Sequence, residues 1–443
     1  IPVDMVLDVG NSRTCGILIE EHPADNGLRW RYELELRDLS APERLYAEPF
    51  ESRVEFAQAV FGKEHWACQS GRPDAFLWPT IARTGREAAR LAARRRGTEG
   101  ATGISSPKRY LWDEDRFATP WRFNSAFDRS EIEPLATAAP FSNLINELGQ
   151  ALYELPDEER MPVFLPHYTR SAMMTFLLAE VFAQAQAQIN SAAQRLKMPN
   201  SDFARHLRSL ILTVPPSMPK PEREIFARRV RQALALLWKA LGWHPEDAPV
   251  ENEGADAGWP PFPRVDVRWD EATCGQVVYL FSETQNNFAG RPEEFFDVMR
   301  RRPCEGPKTL TVASIDIGGG TTDLVVNDYR LEGRGSNVYI LPEQRFRDGF
   351  KVAGDDILLE VIQAVLVPAL RDALRDSGVS DPDPLLSRLI GTDPVEVQES
   401  VLRQQLALQI MYPAGLSVLK EYEGYDPTSG AAVRSCSLGA LLQ

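Results

Sequence analysis

The fold of this chain is organised around Ser314-Ile-Asp-Ile-Gly-Gly-Gly-Thr-Thr-Asp-Leu-Val-Val326, an apolar strand, a three-glycine turn and a second apolar strand. Glycines let the backbone approach a ligand closely, so that successive N–H groups can point at anionic oxygens. Asp316 and Asp323 bracket the turn and offer the hard oxygen atoms that magnesium prefers. The stretch therefore predicts a phosphate-binding turn.

A second copy lies near the start of the chain, in Met5-Val-Leu-Asp-Val-Gly-Asn-Ser-Arg-Thr-Cys-Gly-Ile-Leu-Ile19. Alone, this copy is as typical of a tight hairpin, whereas three glycines and two threonines are costly in a plain strand. No Gly-Lys-Ser/Thr follows either turn, so neither is a Walker-type loop. The repetition predicts two related lobes with a nucleotide between them. Both copies share Asp-x-Gly-x-x-x-Thr, as Asp8, Gly10, Thr14 and Asp316, Gly318, Thr322.

Composition limits the class of protein. A chain of 443 residues is long enough for two lobes or more, because single cores stop growing at about 250–300 residues. The net charge of −14 argues against a nucleic-acid partner, and no apolar run approaches the ~20 residues of a membrane span. Five cysteines without a Cys-x-x-Cys pair give no zinc or disulfide signature and favour a reducing compartment.

Hydrophobic periodicity predicts the main elements. Strand-like runs occupy residues 3–9, 15–20 and 210–214, and apolar residues at helical spacing mark residues 171–197 and 222–241. Further predictions are an exposed loop at 97–106, an insertion loop at 244–264, a helix at 270–283, strands at 337–341 and 346–352, and strand and turn at 430–443. Two more helices are predicted, one at 355–375 that Pro368 should kink or cut, and one at 395–423 with a break at Pro413.

Six further segments occur in order along the chain: Trp78-Pro-Thr-Ile-Ala82, Gly85-Arg-Glu-Ala-Ala-Arg90, Pro107-Lys-Arg-Tyr-Leu-Trp112, Leu212-Thr-Val-Pro215, Asp270-Glu-Ala-Thr-Cys-Gly275 and Ala353-Gly-Asp-Asp-Ile-Leu358. With the two turns, their order resembles the superfamily of actin, sugar kinases and seventy-kilodalton heat-shock chaperone ATPases, and the chaperone branch most of all. The resemblance implies an α/β, actin-like (ribonuclease H-like) fold. Each of its two lobes would have a mixed central sheet with flanking helices, and the nucleotide cleft would lie between the lobes.

Two phrases also resemble the bacterial virulence factor SrfB family, namely Gly103-Ile-Ser-Ser-Pro-Lys-Arg-Tyr-Leu-Trp112 and Leu212-Thr-Val-Pro-Pro-Ser-Met218. This second resemblance implies a bacterial cytoplasmic protein, with a secreted effector as the alternative. It also implies a protein partner or client that binds through segments outside these residues.

The chaperone resemblance implies a role for each matching residue. Asp8 and Asp316 would hold Mg²⁺ through its waters. Asp323 would orient the attacking water, assisted by Glu271, and Lys108 would neutralise γ-phosphate charge. Positioning and electrostatics suffice for phosphoryl transfer, so no covalent nucleophile is required. The residues implied to bind ATP or ADP are Gly10, Asn11, Ser12, Arg13, Thr14, Gly318, Gly319, Gly320, Thr321, Thr322, Gly354 and Asp355.

Some of these residues have simpler interpretations, and some depart from the chaperone pattern. Lys108 beside Arg109 is also typical of an exposed basic pair, and Glu271 of a helix-capping or surface carboxylate. Arg13 adds a cation where the chaperones have no arginine, and Ala353 replaces a glycine. No Gly-Gly-x-x-x-x-Pro adenosine motif occurs before Gln443, so we expect the adenine-binding part to lie beyond these residues.

These observations predict two lobes. The first, residues 1–304, has a core at about 1–39 and 130–304 and a peripheral subdomain at about 40–129. The second, residues 305–443, has a core at about 305–352 and an incomplete helical subdomain at about 353–443. The predicted function is a magnesium-dependent ATPase with nucleotide-driven lobe closure. The alternatives are a small-molecule kinase of the same superfamily, and a non-hydrolysing nucleotide sensor, scaffold or filament subunit.

Overall fold

The computed structural model of the chain describes residues 1–22, 29–59, 77–95, 101–124, 133–250, 260–300, 308–334, 337–393, 395–426, 428 and 436–441. It is a mixed α/β protein with several sheets. The strands are β1 Pro2–Val9, β2 Arg13–Glu21, β3 Arg29–Glu33, β4 Leu36–Arg37, β5 Leu45–Tyr46, β6 Phe50–Glu51, β7 Arg53–Phe56, β8 Ala82–Arg83, β9 Gly103–Ser105, β10 His206–Val214, β11 Arg264–Asp270, β12 Thr309–Ile317, β13 Thr322–Arg334 and β14 Asn337–Phe350.

Most helices lie between β9 and β12 or follow β14. They are α1 Gly85–Arg94, α2 Ala172–Asn190, α3 Ala192–Arg195, α4 Lys220–Ala240, α5 Glu271–Ser282, α6 Pro292–Met299, α7 Gly354–Val361, α8 Val367–Asp376, α9 Asp383–Ile390, α10 Val397–Leu406, α11 Tyr412–Glu423 and α12 Leu438–Leu441. No helix among the described residues is both long and apolar enough to cross a membrane.

The first sheet has the strand order β11-β10-β1-β2-β3, with β6 paired to the end of β2. β1 and β2 form an antiparallel pair, while β10 lies parallel to β1 and β11 parallel to β10. Alternate β1 residues, Val3, Met5, Leu7 and Val9, are fully buried in a cluster that also contains residues of α2 and α4. The predicted strand pair and both predicted helices are therefore confirmed, and the third strand begins at residue 206 rather than 210.

A small sheet lies beside the first one, formed by β7 between β8 and β9. The prediction of an exposed loop at 97–106 is wrong for its second part, because β9 pairs antiparallel with β7 there. Glu55 on β7 is buried and accepts hydrogen bonds from Thr102 and Asn124. Pairing through such distant residues leaves no short-range pattern in the sequence. Residues 97–100 lie outside the described part of the chain.

The second sheet is the antiparallel set β12-β13-β14. The two strands predicted at 337–341 and 346–352 are one strand, β14, with Pro342 inside it. A proline is tolerated there because β14 lies at an edge of the sheet and needs no second partner. On one face of the sheet lies α5, where the buried Gln276 side chain donates to the Ser314 hydroxyl and accepts from Tyr329.

β11 was not predicted from the sequence, where a loop was expected up to residue 264 and a helix from residue 270. The strand lies between them, and the helix is confirmed as α5. In β11, charged residues alternate with Val265, Val267 and Trp269. This alternation is a strand pattern from which β11 could have been predicted. The described parts of the predicted insertion, residues 244–250 and 260–263, contain neither helix nor strand.

The helices after β14 form a separate apolar cluster around Leu366, Met411 and Ala414. Neither Pro368 nor Pro413 cuts its helix. Each is preceded by one π-helical segment, Ile362–Leu366 and Ala407–Met411, through which the helix continues. A proline lacks the N–H donor and crowds the carbonyl one turn earlier, and a π-bulge accommodates both effects.

A strand and a turn were predicted at 430–443. Residues 430–435, 442 and 443 of this segment lie outside the described part of the chain. Its described remainder is helical from residue 438, and for that part the prediction is wrong.

Candidate functional site

The first glycine turn joins β1 to β2. Gly10 donates its N–H to the Arg13 carbonyl over 2.9 Å, and a Cβ atom at Gly10 would lie 2.6 Å from that same oxygen. Only glycine therefore fits this position without moving the turn. Thr14 points into the protein, where its hydroxyl lies 2.8 Å from that of Ser52, which donates to the Gly10 carbonyl. Thr14 thus stabilises the turn from its buried side through Ser52, while Arg13 is exposed.

The second glycine turn repeats this geometry between β12 and β13. Gly318 donates to the Thr321 carbonyl over 2.9 Å, the same four-residue closure as in the first turn. Asp316 pairs with Asp323 across the strands, as Asp8 pairs with Cys15. The Thr322 hydroxyl donates to the Val352 carbonyl, which ties this turn to the chain segment before α7. The repeat seen in the sequence is therefore a repeat of backbone structure.

The two turns face each other in direct contact. A Cβ atom on Gly319 would overlap the Ser12 side chain. A Cβ atom on Gly320 would lie 2.5 Å from the side-chain amide nitrogen of Asn11. Both glycines are required by this close approach rather than by backbone conformation. Residues about three hundred positions apart in the chain therefore form one site.

The N-terminus of α7 closes a third side of this site. Its first amides are occupied, since Gly354 donates to the Gly318 carbonyl and Asp355 to the Gly319 carbonyl. The Asp355 carboxylate forms an ion pair of 2.8 Å with Arg109 and accepts a 3.4 Å bond from the Ser12 hydroxyl. Burial raises the pKa of Asp355, and Arg109 opposes this rise. Asp355 thus links the second turn to the first.

Three predicted acids converge beside the turns. Asp8 accepts a 2.8 Å bond from the Thr213 hydroxyl. Asp323 is buried and accepts from the Ser217 amide and the Thr321 hydroxyl, each over 3.2 Å.

The environment of Asp316 shows how close these acids are. Burial raises its pKa, and the charges of Asp323 and Asp8 raise it further. Like charges held together in this way are stabilised when a cation binds among them. Within the described residues, no group of three or more His, Cys, Asp or Glu side chains is arranged to hold a metal ion directly. The carboxylate oxygens of Asp8, Asp316 and Asp323 are hard donors, the kind of ligand that Mg²⁺ prefers.

Lys108 lies beneath the first turn. Its ammonium group donates to the Val9 carbonyl over 2.7 Å and to Glu271 over 3.2 Å, and it lies 5.6 Å from the centre of the Phe226 ring. Only 4 % of the residue is exposed, so its interpretation as an exposed basic pair is wrong.

Glu271 begins α5 and faces Lys108. Burial raises its pKa to about 7, Lys108 lowers it, and the nearby Asp8 raises it again. The helix cap is Asp270, which accepts from the Thr273 amide, so the helix-capping interpretation of Glu271 is wrong. A carboxyl group that titrates near neutral pH can exchange a proton under physiological conditions.

Three residues of this site were not predicted from the sequence, namely Arg109, Thr213 and Ser217. Ser217 follows two prolines after β10 and approaches Gly349 so closely that a Cβ there would overlap it. Thr213 and Ser217 both lie in the phrase Leu212-Thr-Val-Pro-Pro-Ser-Met218, which had been singled out only as a resemblance.

A pocket of about 800 Å³ lies elsewhere, between α4, Tyr153 and the segment around Val250 and Phe262. None of the predicted site residues lines it. We place the candidate site at the glycine turns because the charged and buried groups converge there, whereas size alone does not indicate chemistry.

A family model described as virulence factor SrfB matches residues 1–443, the whole chain. No curated protein matches the chain.

Proposed function

The chain belongs to the virulence factor SrfB family, and from this premise we propose that its two glycine turns bind ATP with Mg²⁺ and that the site hydrolyses it slowly. We further propose an actin-like fold, in which the first and second sheets are the centres of two lobes. The mixed first sheet and the repeated strand–turn–strand unit support this fold. One observation carries the proposal: both turns, three acids and the buried Lys108–Glu271 pair converge on one place.

Each residue has a proposed task. Amides of the two turns and the Lys108 ammonium would bind the phosphates, because a buried point charge is screened little by solvent. Asp8 and Asp316 would hold hydrated Mg²⁺, which when bound neutralises phosphate charge. Asp323 would orient the attacking water, and Glu271 would take up its proton near pH 7. Arg13 is exposed beside the first turn and remains a proposed phosphate contact.

The contact between the turns suggests how the site opens. A phosphate tail needs the space that Ser12 and Gly319 now fill, so the turns must separate to admit it. Among the described residues, the polar contacts between the turns include the ion pair of Arg109 with Asp355, the bond from Ser12 to Asp355 and a 3.4 Å bond from Arg109 to the Gly319 carbonyl. Both partners of the ion pair are partly exposed, so breaking it costs only about 1 kcal/mol or less. This supports a nucleotide-driven movement of the two sheets.

The proposal is tested by calorimetry with ATP and Mg²⁺ and by phosphate release without any acceptor. Asp323→Ala should keep ATP binding within about threefold and lower the release rate by about a hundredfold or more, as expected for a lost positioning group. Asp376→Ala, an exposed aspartate of α8, is the matched control. Unchanged phosphate release in Asp323→Ala contradicts the catalytic assignment. Release that requires an added acceptor favours a kinase, and pelleting that depends on ATP favours a filament subunit.

A further inference from the structure

The helix α5 is attached to both main sheets. It follows directly after Asp270, the last residue of β11 in the first sheet. Its first residue, Glu271, accepts a 3.2 Å hydrogen bond from Lys108, which lies next to the first turn. Further along the helix, Leu280 is buried in an apolar cluster with Leu310 of the second sheet. The helix therefore begins at the first sheet and packs on the second.

One polar side chain joins α5 to the second sheet. Gln276 is only 3 % exposed, and its amide has five hydrogen-bond partners on β12 and β13. Its Nε2 donates over 2.7 Å to the Ser314 hydroxyl, over 3.2 Å to the Val325 carbonyl and over 3.4 Å to the Val312 carbonyl, and its Oε1 accepts over 2.9 Å from both Asn327 Nδ2 and the Tyr329 hydroxyl.

The chemistry of these partners fixes the orientation of the amide. Two of them are backbone carbonyls, which only accept, so the nitrogen of Gln276 must face Val312 and Val325. Its oxygen then accepts two bonds, one for each lone pair. Methionine would fill the same space without directional bonds. A buried amide with all its bonds made is stable in one orientation, so Gln276 fixes the rotation of α5 about its own axis.

The strands that Gln276 holds are the two that meet at the second turn. Ser314 pairs with Val325, two positions away from the pair formed by Asp316 and Asp323. The amide therefore holds α5 against the strand pair that carries two of the acids of the candidate site.

Glu271 lies on a different side of the same helix. It precedes Gln276 by five residues, which corresponds to about 7.5 Å along the helix axis and about 140° around it. Burial raises the pKa of Glu271 to about 7, Lys108 lowers it, and the charges of Asp8 and Asp323 raise it. Glu271 is thus close to charged groups of both turns, and a rotation of α5 would change its distance from all of them.

We propose that Gln276 is a positioning residue, which holds α5 at the rotation that places Glu271 against Lys108 and near Asp323. The catalytic consequence rests on the proposed ATPase, in which Glu271 takes up the proton of the attacking water. A displacement of a reacting group by about 1 Å can lower a rate about a hundredfold. Both turns close through their own backbone hydrogen bonds, so ATP binding should not depend on Gln276. Gln276 should therefore affect kcat and leave KM unchanged.

The first test is Gln276→Met, which keeps the length of the side chain and removes its hydrogen bonds. We expect kcat for phosphate release to fall about tenfold or more and KM for ATP to stay within about twofold. The control is Gln232→Met, at a glutamine of α4 that is also 3 % exposed and bonds to Arg229 and Glu154. It should leave kcat unchanged. Equal losses of kcat in the two variants overturn the proposal.

A double-mutant cycle on kcat separates positioning from general damage. In the Glu271→Gln background, Gln276→Met should lower kcat by less than about twofold, because the group that Gln276 positions is already lost. A full further loss overturns the proposal. If Gln276→Met does not fold, Tyr329→Phe removes a single bond to the same amide and should lower kcat about twofold or more. An unchanged kcat in that folded variant also overturns the proposal.

A further measurement does not depend on ATP. The coupling between Lys108→Met and Glu271→Gln in urea unfolding should fall by about half or more when Gln276→Met is present. An unchanged coupling overturns the proposal. A chain that releases no phosphate, and in which this coupling still depends on Gln276, contradicts the proposed ATPase and supports the positioning of Glu271.

Discussion

The first and second strand–turn–strand units have the same local structure in different surroundings. Both close with one hydrogen bond from glycine to the residue three positions later, at Gly10 and Gly318. The strand before the first turn is buried on one face, while the matching face of the second is exposed at Ile315 and Ile317. Turn geometry is therefore set by nearby residues, whereas the burial of the same side chains depends on what the rest of the chain brings against them.

The largest expected difference is in stability. Leu7→Ala should lower the free energy of unfolding by about 3 kcal/mol, because it leaves a cavity in a closed core. Ile315→Ala should change it by less than about 0.5 kcal/mol, since the side chain is already in water. Urea unfolding of both variants measures this difference. Equal losses would mean that the second face is covered in solution.

Glu271 should make the stability of the first unit depend on pH, because it lies next to the first turn and is paired with Lys108. Its pKa of about 7 exceeds the ordinary value of 4.5, so the native state holds a proton that the unfolded state has released. Its contribution to stability is thus present at low pH and is lost as pH rises from 4.5 to 7, by about 3 kcal/mol at most.

Glu271→Gln should remove this part of the pH dependence. Urea unfolding of wild type and variant between pH 4.5 and 7.5 measures it, and their difference excludes other groups such as Glu87, whose pKa burial also raises to about 7. Glu360→Gln, at an exposed position of α7, is the control. Parallel pH profiles for wild type and Glu271→Gln would contradict the assigned pKa.

The contact between the units is tested at its glycines. Gly319→Ala should cost about 1–2 kcal/mol by overlap with Ser12, and Ser12→Gly should recover most of that loss. In Gly10→Ala the overlap is with the backbone of its own turn, so Ser12→Gly should give no recovery there. Recovery in both pairs, or in neither, would show that the two turns do not touch in solution. Thermal unfolding of the four variants decides this.

The smallest effect is expected at the link between Arg109 and Asp355. The pair is partly exposed, so a double-mutant cycle with Arg109→Ala and Asp355→Ala should give a coupling of about 0.5 kcal/mol. High salt should reduce it further. A coupling above about 2 kcal/mol, measured by urea unfolding, would mean that the turns are locked rather than easily opened.

Much of the fold was readable because its elements carry short-range patterns. Residues 171–197 show helical spacing, and α2 occupies most of that range. The small sheet around β7 was not predicted, because its strands are two to four residues long and join distant parts of the chain. The π-bulges before Pro368 and Pro413 were missed because the choice between a cut and a bulge depends on packing around the helix.

In the candidate site, too, some features were predicted from the sequence and others were seen only in the structure. The glycines of both turns and the acids Asp8, Glu271, Asp316, Asp323 and Asp355 were predicted from the sequence, and the family is confirmed across the whole chain. The burial of Lys108 was not predictable, since it results from Val9, Phe226 and Glu271, which lie far apart in the chain. Thr14 was predicted to contact phosphate, yet its side chain turns inward to Ser52.

The sequence by itself thus determined the two turns, because the conformational freedom of glycine and the alternation of strand residues act over a few positions. Only the tertiary structure decided that the turns meet at Ser12 and Gly319, that Glu271 titrates near pH 7, and that Leu7 is buried while Ile315 is exposed. Burial and electrostatic environment are sums over neighbours that the folded chain assembles from distant segments, and no local pattern encodes them.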